Sequence, residues 1–360
     1  MATGSPIAER FLGPSDAPYA VLPPVIKVGD GVYEPRDSTR TLGEVLAERT
    51  SALLQLIEAY PPDIVVVDHA PAGLGGELLR VFDRLVARRP RPRFVLGLRD
   101  VPGGGDSDRQ AWAKHGIRDL LEGLYDAIVV FGWREYFDAV LECGLSPVAG
   151  AKTRFVGYLG EPADRAGALL VRRRFGSGDR PLVVGTVGGG EDGYQVLATL
   201  LDAHRLWPER VRFDSVLIAG PLMPESDRRR LAEASVSVRG VSFLDEVADL
   251  PVFLAAADAV LAMAGFNTAC EIFAAARPAV VIPRAARGSD QAHRGVLLAR
   301  HRFALTMPLD DLNPGALLDA VNRLLDGTTR LAAPPPLGGE DGFVAVIDSL
   351  LVGASLGPKA

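Results

Sequence analysis

Cysteine is nearly absent: Cys143 and Cys270 are the only two in 360 residues, far apart and without metal-like or redox spacing. A disulfide scaffold or a cysteine-built metal site is therefore excluded, and a reduced cytoplasm is the expected setting. Aromatic residues make up only 7%, and the formal net charge of -6 argues against a protein that binds nucleic-acid duplexes while leaving local basic patches open. Long apolar runs are missing too. The best stretch, 252–266, is short and carries Asp258, which is no membrane span. The opening residues, MATGSPIAERF, lack a basic-then-apolar targeting pattern.

What is present is a core-forming chain, 48% hydrophobic and long enough for two domains. Short runs rich in Val and Ile recur: DIVVVD (63–68), RFVLGL (93–98), AIVVFG (127–132), RFVGYL (154–159), PLVVGTVG (181–188), DSVLIAG (214–220), VSVRGVSF (236–243), DAVLAMAG (258–265) and PAVVIPR (278–284). Helical patterns such as TLGEVLAERTSALLQLIEAY (41–60) and VLATLLDAHRL (196–206) separate them. Continuous apolar strands alternating with helices predict an α/β protein with parallel sheets covered on both faces. Two such sheets fit. They predict Rossmann-like domains at 1–160 and 161–330, followed at 331–360 by the linker AAPPPLGGEDG and the helix FVAVIDSLLVGA.

In a doubly wound sheet, ligands sit beyond the carboxyl ends of the strands. Three segments occupy such ends. TVGGGEDGYQ (186–195) is a strand-to-helix turn in which Gly188, Gly189 and Gly190 let the backbone approach a ligand, or simply make a tight turn. AGFNTACEI (264–272) opens a helix at Asn267 and Thr268, with Glu271 three residues later. Two readings stand: Thr268 and Glu271 form a capping box, or the free helix N-terminus holds a phosphate while Glu271 accepts ribose hydroxyls. IPRAARGSDQAHR (282–294) places Asp290 and Gln291 before a helix, as sugar ligands or as caps.

Taken together with VDHAPAGLGGELL (67–79), VLGLRDV (95–101) and AADAVLAMAGFNTACEI (256–272), these segments resemble the MurG-like glycosyltransferases of the GT-B fold, two Rossmann-like domains with a cleft between them. The resemblance runs from about Pro6 to Leu325. It implies a nucleotide-sugar donor, UDP- or TDP-linked, held by the C-terminal domain. The diphosphate would lie on Gly265, Asn267 and Thr268 with Gly188–Gly190 near the phosphates, the ribose on Glu271, the sugar by Asp290 and Gln291, and the base by Phe243 and Leu244. Transfer would invert the anomeric carbon and need neither metal nor cofactor. The DSD at 106–108, which mimics a metal motif, reads more readily as a solvated loop. Candidate bases at the facing strand ends are His69, Asp68 and Asp100, each with a structural reading beside it. The acceptor would be a small molecule, glycan or lipid, and the basic stretches ARRPRPR (87–93) and VRRRF (171–175) offer a peripheral membrane contact or merely a solvated surface.

The chain departs from the relatives by lacking their first strand and Gly-His loop. Three expectations follow: a start placed too far downstream, a partner that completes the sheet, or a non-catalytic binder. A nucleotide-sugar hydrolase or epimerase of the same fold is the remaining alternative.

Overall fold

The computed structural model describes residues 1–5, 19–29, 32–102, 116–162, 164–284 and 289–353. Most of the apolar runs become strands. β1 (Ala2–Thr3) pairs with β2 (Ala20–Val21), and β3 (Val25–Gly29) forms an antiparallel pair with β4 (Val32–Pro35). Neither pair was legible in the hydrophobic pattern. β5 (Ile64–Asp68), β6 (Arg93–Arg99), β7 (Ala127–Phe131) and β8 (Thr153–Phe155) form a parallel sheet in that order. β9 (Leu182–Thr186), β10 (Asp214–Ile218), β11 (Val241–Leu244), β12 (Ala259–Met263), β13 (Ala279–Ile282) and β14 (Leu305–Thr306) form a second, in the order β11-β10-β9-β12-β13-β14. Every ladder in both sheets is parallel, so each connection must cross over, and the intervening helices supply the crossovers.

The second sheet is doubly wound, with its order reversing between β9 and β12. Every residue of these two strands is buried, which is why their sequences read as unbroken apolar runs. In the first sheet the described strands follow chain order, β5-β6-β7-β8. β5 lies at the edge, and Val66 in its centre is 49% exposed.

Two strands are shorter than the sequence indicates. The run at 154–159 pairs only through Phe155, and the run at 236–243 begins pairing at Val241. In the latter, Val236 ends the helix Glu225–Ser235, and Gly240 turns the chain at φ +76° before the strand can start.

The two sheets share one apolar core. Tyr158, beyond β8, packs edge-on against Phe273 with ring centroids 4.8 Å apart, and Tyr136 lies 5.5 Å from Phe303. After the second sheet the chain returns to the first. Leu337 bridges to Tyr158, and the helix Gly339–Gly353 lays Phe343, Val346, Ile347 and Leu350 against Val95, Ala127 and Val129. The C-terminal helix expected at 343–354 thus starts four residues earlier and covers the first sheet rather than extending the second.

Candidate functional site

A cavity of about 720 Å³ opens beyond the carboxyl ends of β9 and β12, where the strand order reverses. Its floor is the glycine turn after β9. Gly188 and Gly190 adopt φ +62° and +95°, and a Cβ on Gly190 would stand 2.2 Å from the Ala219 carbonyl oxygen. Only glycine fits there. The turn is pinned by the Leu222 amide donating to the Gly189 carbonyl at 2.7 Å, and Gly188, Gly189 and Gly190 all line the cavity.

The opposite wall is the start of the helix Phe266–Ala275. Its N-cap is Gly265, and no side chain caps it. The capping-box reading therefore fails on position: Thr268 is the third helical residue and Glu271 the sixth. The first amides, on Phe266, Asn267 and Thr268, carry the positive end of the helix dipole towards the cavity without a side-chain acceptor. The Thr268 hydroxyl closes on the glycine turn, 3.4 Å from where a Gly188 Cβ would sit. Glu271 lies one turn further in, on the cavity wall and without a hydrogen-bonding partner among the described residues. Burial pushes its carboxyl up to about 7, so half its population is neutral at neutral pH.

Of the two residues expected near a sugar, Gln291 lines the cavity and accepts a hydrogen bond from the Arg284 amide at 3.2 Å. Asp290 stands apart from the lining and faces Arg294 at 3.4 Å. Neither is a cap: Ser289 caps the helix Asp290–Arg300 by accepting from the Ala292 amide. Phe243 and Leu244 need correction. Both lie inside β11 and pack into the core, because the strand starts and ends later than its sequence pattern; the cavity wall there is Glu246, Val247 and Ala248.

The facing strand ends hold the three candidate bases. Asp68 is exposed at the end of β5. His69 follows it in the left-handed region, φ +63°, held by its amide donating to the Gly97 carbonyl at 2.7 Å. Its Nδ1 is buried without a partner among the described residues. Burial first, and the Arg99 charge second, push the imidazole down to about 4 against the opposing pull of Asp68 and Asp290. It is therefore a neutral imidazole that faces the helix carrying Asp290 and Arg294.

Asp100 is corrected by its surroundings. It is 1% exposed, and Arg294, fully buried, grips it with Nη2 at 2.8 Å and Nε at 3.0 Å. Tyr158 donates to its other oxygen at 3.0 Å, and the Val101 amide donates at 2.7 Å. No lone pair is left to accept an acceptor's proton, so Asp100 ties the two sheets together instead. Arg294 also donates to the Ala264 carbonyl at 2.8 Å, which fixes the chain just before the helix Phe266–Ala275.

The remaining sequence features are structural or lie outside the described residues. His204 bonds to Ser215 at 2.9 Å, and His301 stacks on Phe303. His293 packs against Phe137, and Glu77 of PAGLGGE pairs with buried Arg49. The DSD at 106–108 and His115 fall outside the described residues. Among the described residues, no cluster of His, Cys, Asp and Glu could hold a metal ion, and no helix is long and apolar enough to cross a membrane. Sequence reasoning missed Arg99, Arg284 and Asp192, which also line the cavity, the last two paired at 3.1 Å. The signal for Arg99 was present: it is the strand-end cation in VLGLRDV.

Two Rossmann-like sheets facing a shared cleft define the GT-B class, and the comparisons agree. Residues 184–337 match the family described as Glycosyltransferase family 28 C-terminal domain. The chain is 31% identical over 160 residues to a UDP-N-acetylglucosamine--N-acetylmuramyl-(pentapeptide) pyrophosphoryl-undecaprenol N-acetylglucosamine transferase of Acidiphilium cryptum, covering 40% of this chain and 39% of that protein. The protein of the same name from Alkaliphilus metalliredigens is 24% identical, with 44% and 43% covered. The chain thus matches about two fifths of the length of these curated relatives. Among solved structures, MurG of Acinetobacter baumannii is similar at a TM-score of 0.51 and 16% identity, over 91% of this chain and 82% of that one. CalG4, the calicheamicin glycosyltransferase, gives 0.53 at 18% over 90% and 81%. A putative UDP-N-acetylglucosamine 2-epimerase from Listeria monocytogenes gives 0.58 at 14% over 87% and 81%. At these identities the structures show the fold. The MurG-like resemblance drawn from the sequence is borne out.

Proposed function

We propose that the chain transfers a sugar from a nucleoside-diphosphate donor, UDP- or TDP-linked, to an acceptor hydroxyl, with inversion and without a metal. The carrying observation is the uncapped N-terminus of the helix Phe266–Ala275, which meets Gly188–Gly190 across one cavity, with Glu271, which has no partner among the described residues, beside it. Helix amides and a glycine turn suit a diphosphate, and a carboxylate one turn away suits ribose hydroxyls. Gln291 is within the same cavity for the sugar, and Glu246–Ala248 form the wall on which the base would rest. Asp290, outside the lining, acts on this reading by orienting Arg294.

In the step itself, the acceptor oxygen bonds to the anomeric carbon as the bond from that carbon to the diphosphate oxygen breaks. The leaving oxygen keeps the electron pair, and the helix amides stabilise its charge. The acceptor proton passes to a base, and His69 is the candidate: neutral, with an unpartnered Nδ1, on the half of the molecule before residue 160 that faces the donor half. Contact with a membrane face through the stretches at 87–93 and 171–175 would serve a lipid acceptor in the cytoplasm.

The test is release of nucleoside diphosphate from a panel of UDP-, TDP- and GDP-sugars, with and without glycan, lipid-diphosphate and small-molecule acceptors. Acceptor-dependent release supports transfer. Equal release without acceptor indicates a hydrolase instead, and donor binding without release indicates a non-catalytic binder.

A further inference from the structure

We infer that Arg99 binds the diphosphate of the donor, so that the first half of the molecule supplies the cation for a site otherwise built by the second half. The inference rests on the nucleoside-diphosphate reading above. All other described residues of the cavity wall fall between Thr186 and Gln291; Arg99 alone comes from the first sheet, at the end of β6.

The charges of the cavity single it out. Its described lining holds two cations, Arg99 and Arg284, and four acidic residues, Glu191, Asp192, Glu246 and Glu271. Such a lining repels a diphosphate unless a cation meets it. Arg284 is engaged with Asp192 at 3.1 Å. Arg99 has no carboxylate partner among the described residues. Its guanidinium instead lies 6.0 Å from the ring centroid of Phe266, the first residue of the uncapped helix. That places an unpaired, half-buried positive charge beside the positive end of a helix dipole, an arrangement an anion relieves.

The neighbouring residue shows that this is a division of labour. Asp100 turns into the interior and neutralises Arg294, whose guanidinium lies 5.8 Å from the same Phe266 ring. Two arginines thus flank the helix start, one neutralised and one free. A guanidinium fork matches two phosphate oxygens at once, which an ammonium does not.

The experiment is isothermal titration of wild type, Arg99→Gln and Arg99→Lys with UDP and with uridine, alongside thermal melts. A charge-assisted hydrogen bond lost from the diphosphate weakens UDP binding about 10- to 100-fold in Arg99→Gln, leaves uridine within about twofold, and is partly restored in Arg99→Lys. Unchanged UDP affinity in Arg99→Gln overturns the inference. So does an equal loss for uridine and UDP, which would mean that the cavity has collapsed. Wild type that binds neither ligand overturns the functional reading itself.

Discussion

Glu271 gives the sharpest handle on the donor site, through the substitution Glu271→Gln. In the free protein burial raises its carboxyl from 4.5 to about 7. The unfolded chain therefore loses this proton at a lower pH than the folded chain. The protonated form's contribution to stability is complete below about 4.5 and is lost as pH rises through about 7. The ionised form costs no more than about 3 kcal/mol at pH 8, and solvent screening at this partly exposed residue reduces that. Ribose hydroxyls donating to the carboxylate favour the ionised form, so binding releases a proton. With a midpoint of about 7, roughly a tenth of the carboxyls are ionised at pH 6 and roughly nine tenths at pH 8. A UDP-hexose, whose diphosphate does not titrate in that range, should bind about tenfold more tightly at pH 8 than at pH 6. In Glu271→Gln the pH dependence should vanish and the affinity at pH 8 should fall by about 10-fold or more. The variant should also melt higher than wild type at pH 8 and no differently at pH 4. Isothermal titration and thermal melts report all of this. A variant that binds as tightly as wild type, with the same pH slope, would refute the assignment of Glu271 to the ribose.

Asp100→Ala strands a fully buried Arg294 and should cost about 3–5 kcal/mol in urea unfolding; an effect under about 1 kcal/mol would mean that the pair does not join the sheets. His69→Gln should keep donor affinity and lose transfer. In wild type at saturating donor, the transfer rate should show no acidic fall between pH 5.5 and 8, because the imidazole is neutral above about 4; a limb near 6.5 in that saturated rate would contradict its buried setting. Gly190→Ala forces a Cβ to 2.2 Å from the Ala219 carbonyl at φ +95°, and should abolish donor binding while leaving most secondary structure seen by circular dichroism.

The second half of the molecule was legible because its signals are local. β9 and β12 announce themselves as apolar runs, and the glycine turn and Thr268–Glu271 follow them within a few residues. Whether that helix start was capped was not legible, because the choice depends on Gly265, rather than Thr268, being the boundary residue. The cavity wall beyond β11 lies a few residues later than the sequence indicates, since the turn at Gly240 delays β11 and carries Phe243 and Leu244 into the sheet. Asp100 could not be separated from a base by sequence, because its partner Arg294 lies 194 residues away and only folding brings them together. Arg99 and Asp100 are adjacent letters with opposite destinations, a difference set by which way each side chain turns at the end of β6. The hairpin β3–β4 and the short strands β1, β2 and β14 give too few residues for a period to register.

The most direct test is the structure of the protein crystallised with UDP. The account predicts the diphosphate at the amides of Phe266, Asn267 and Thr268 against Gly188–Gly190, with both ribose hydroxyls on Glu271 and the base against Glu246–Ala248. A nucleotide bound elsewhere, or an empty cavity at millimolar UDP with the helix start unchanged, would contradict it.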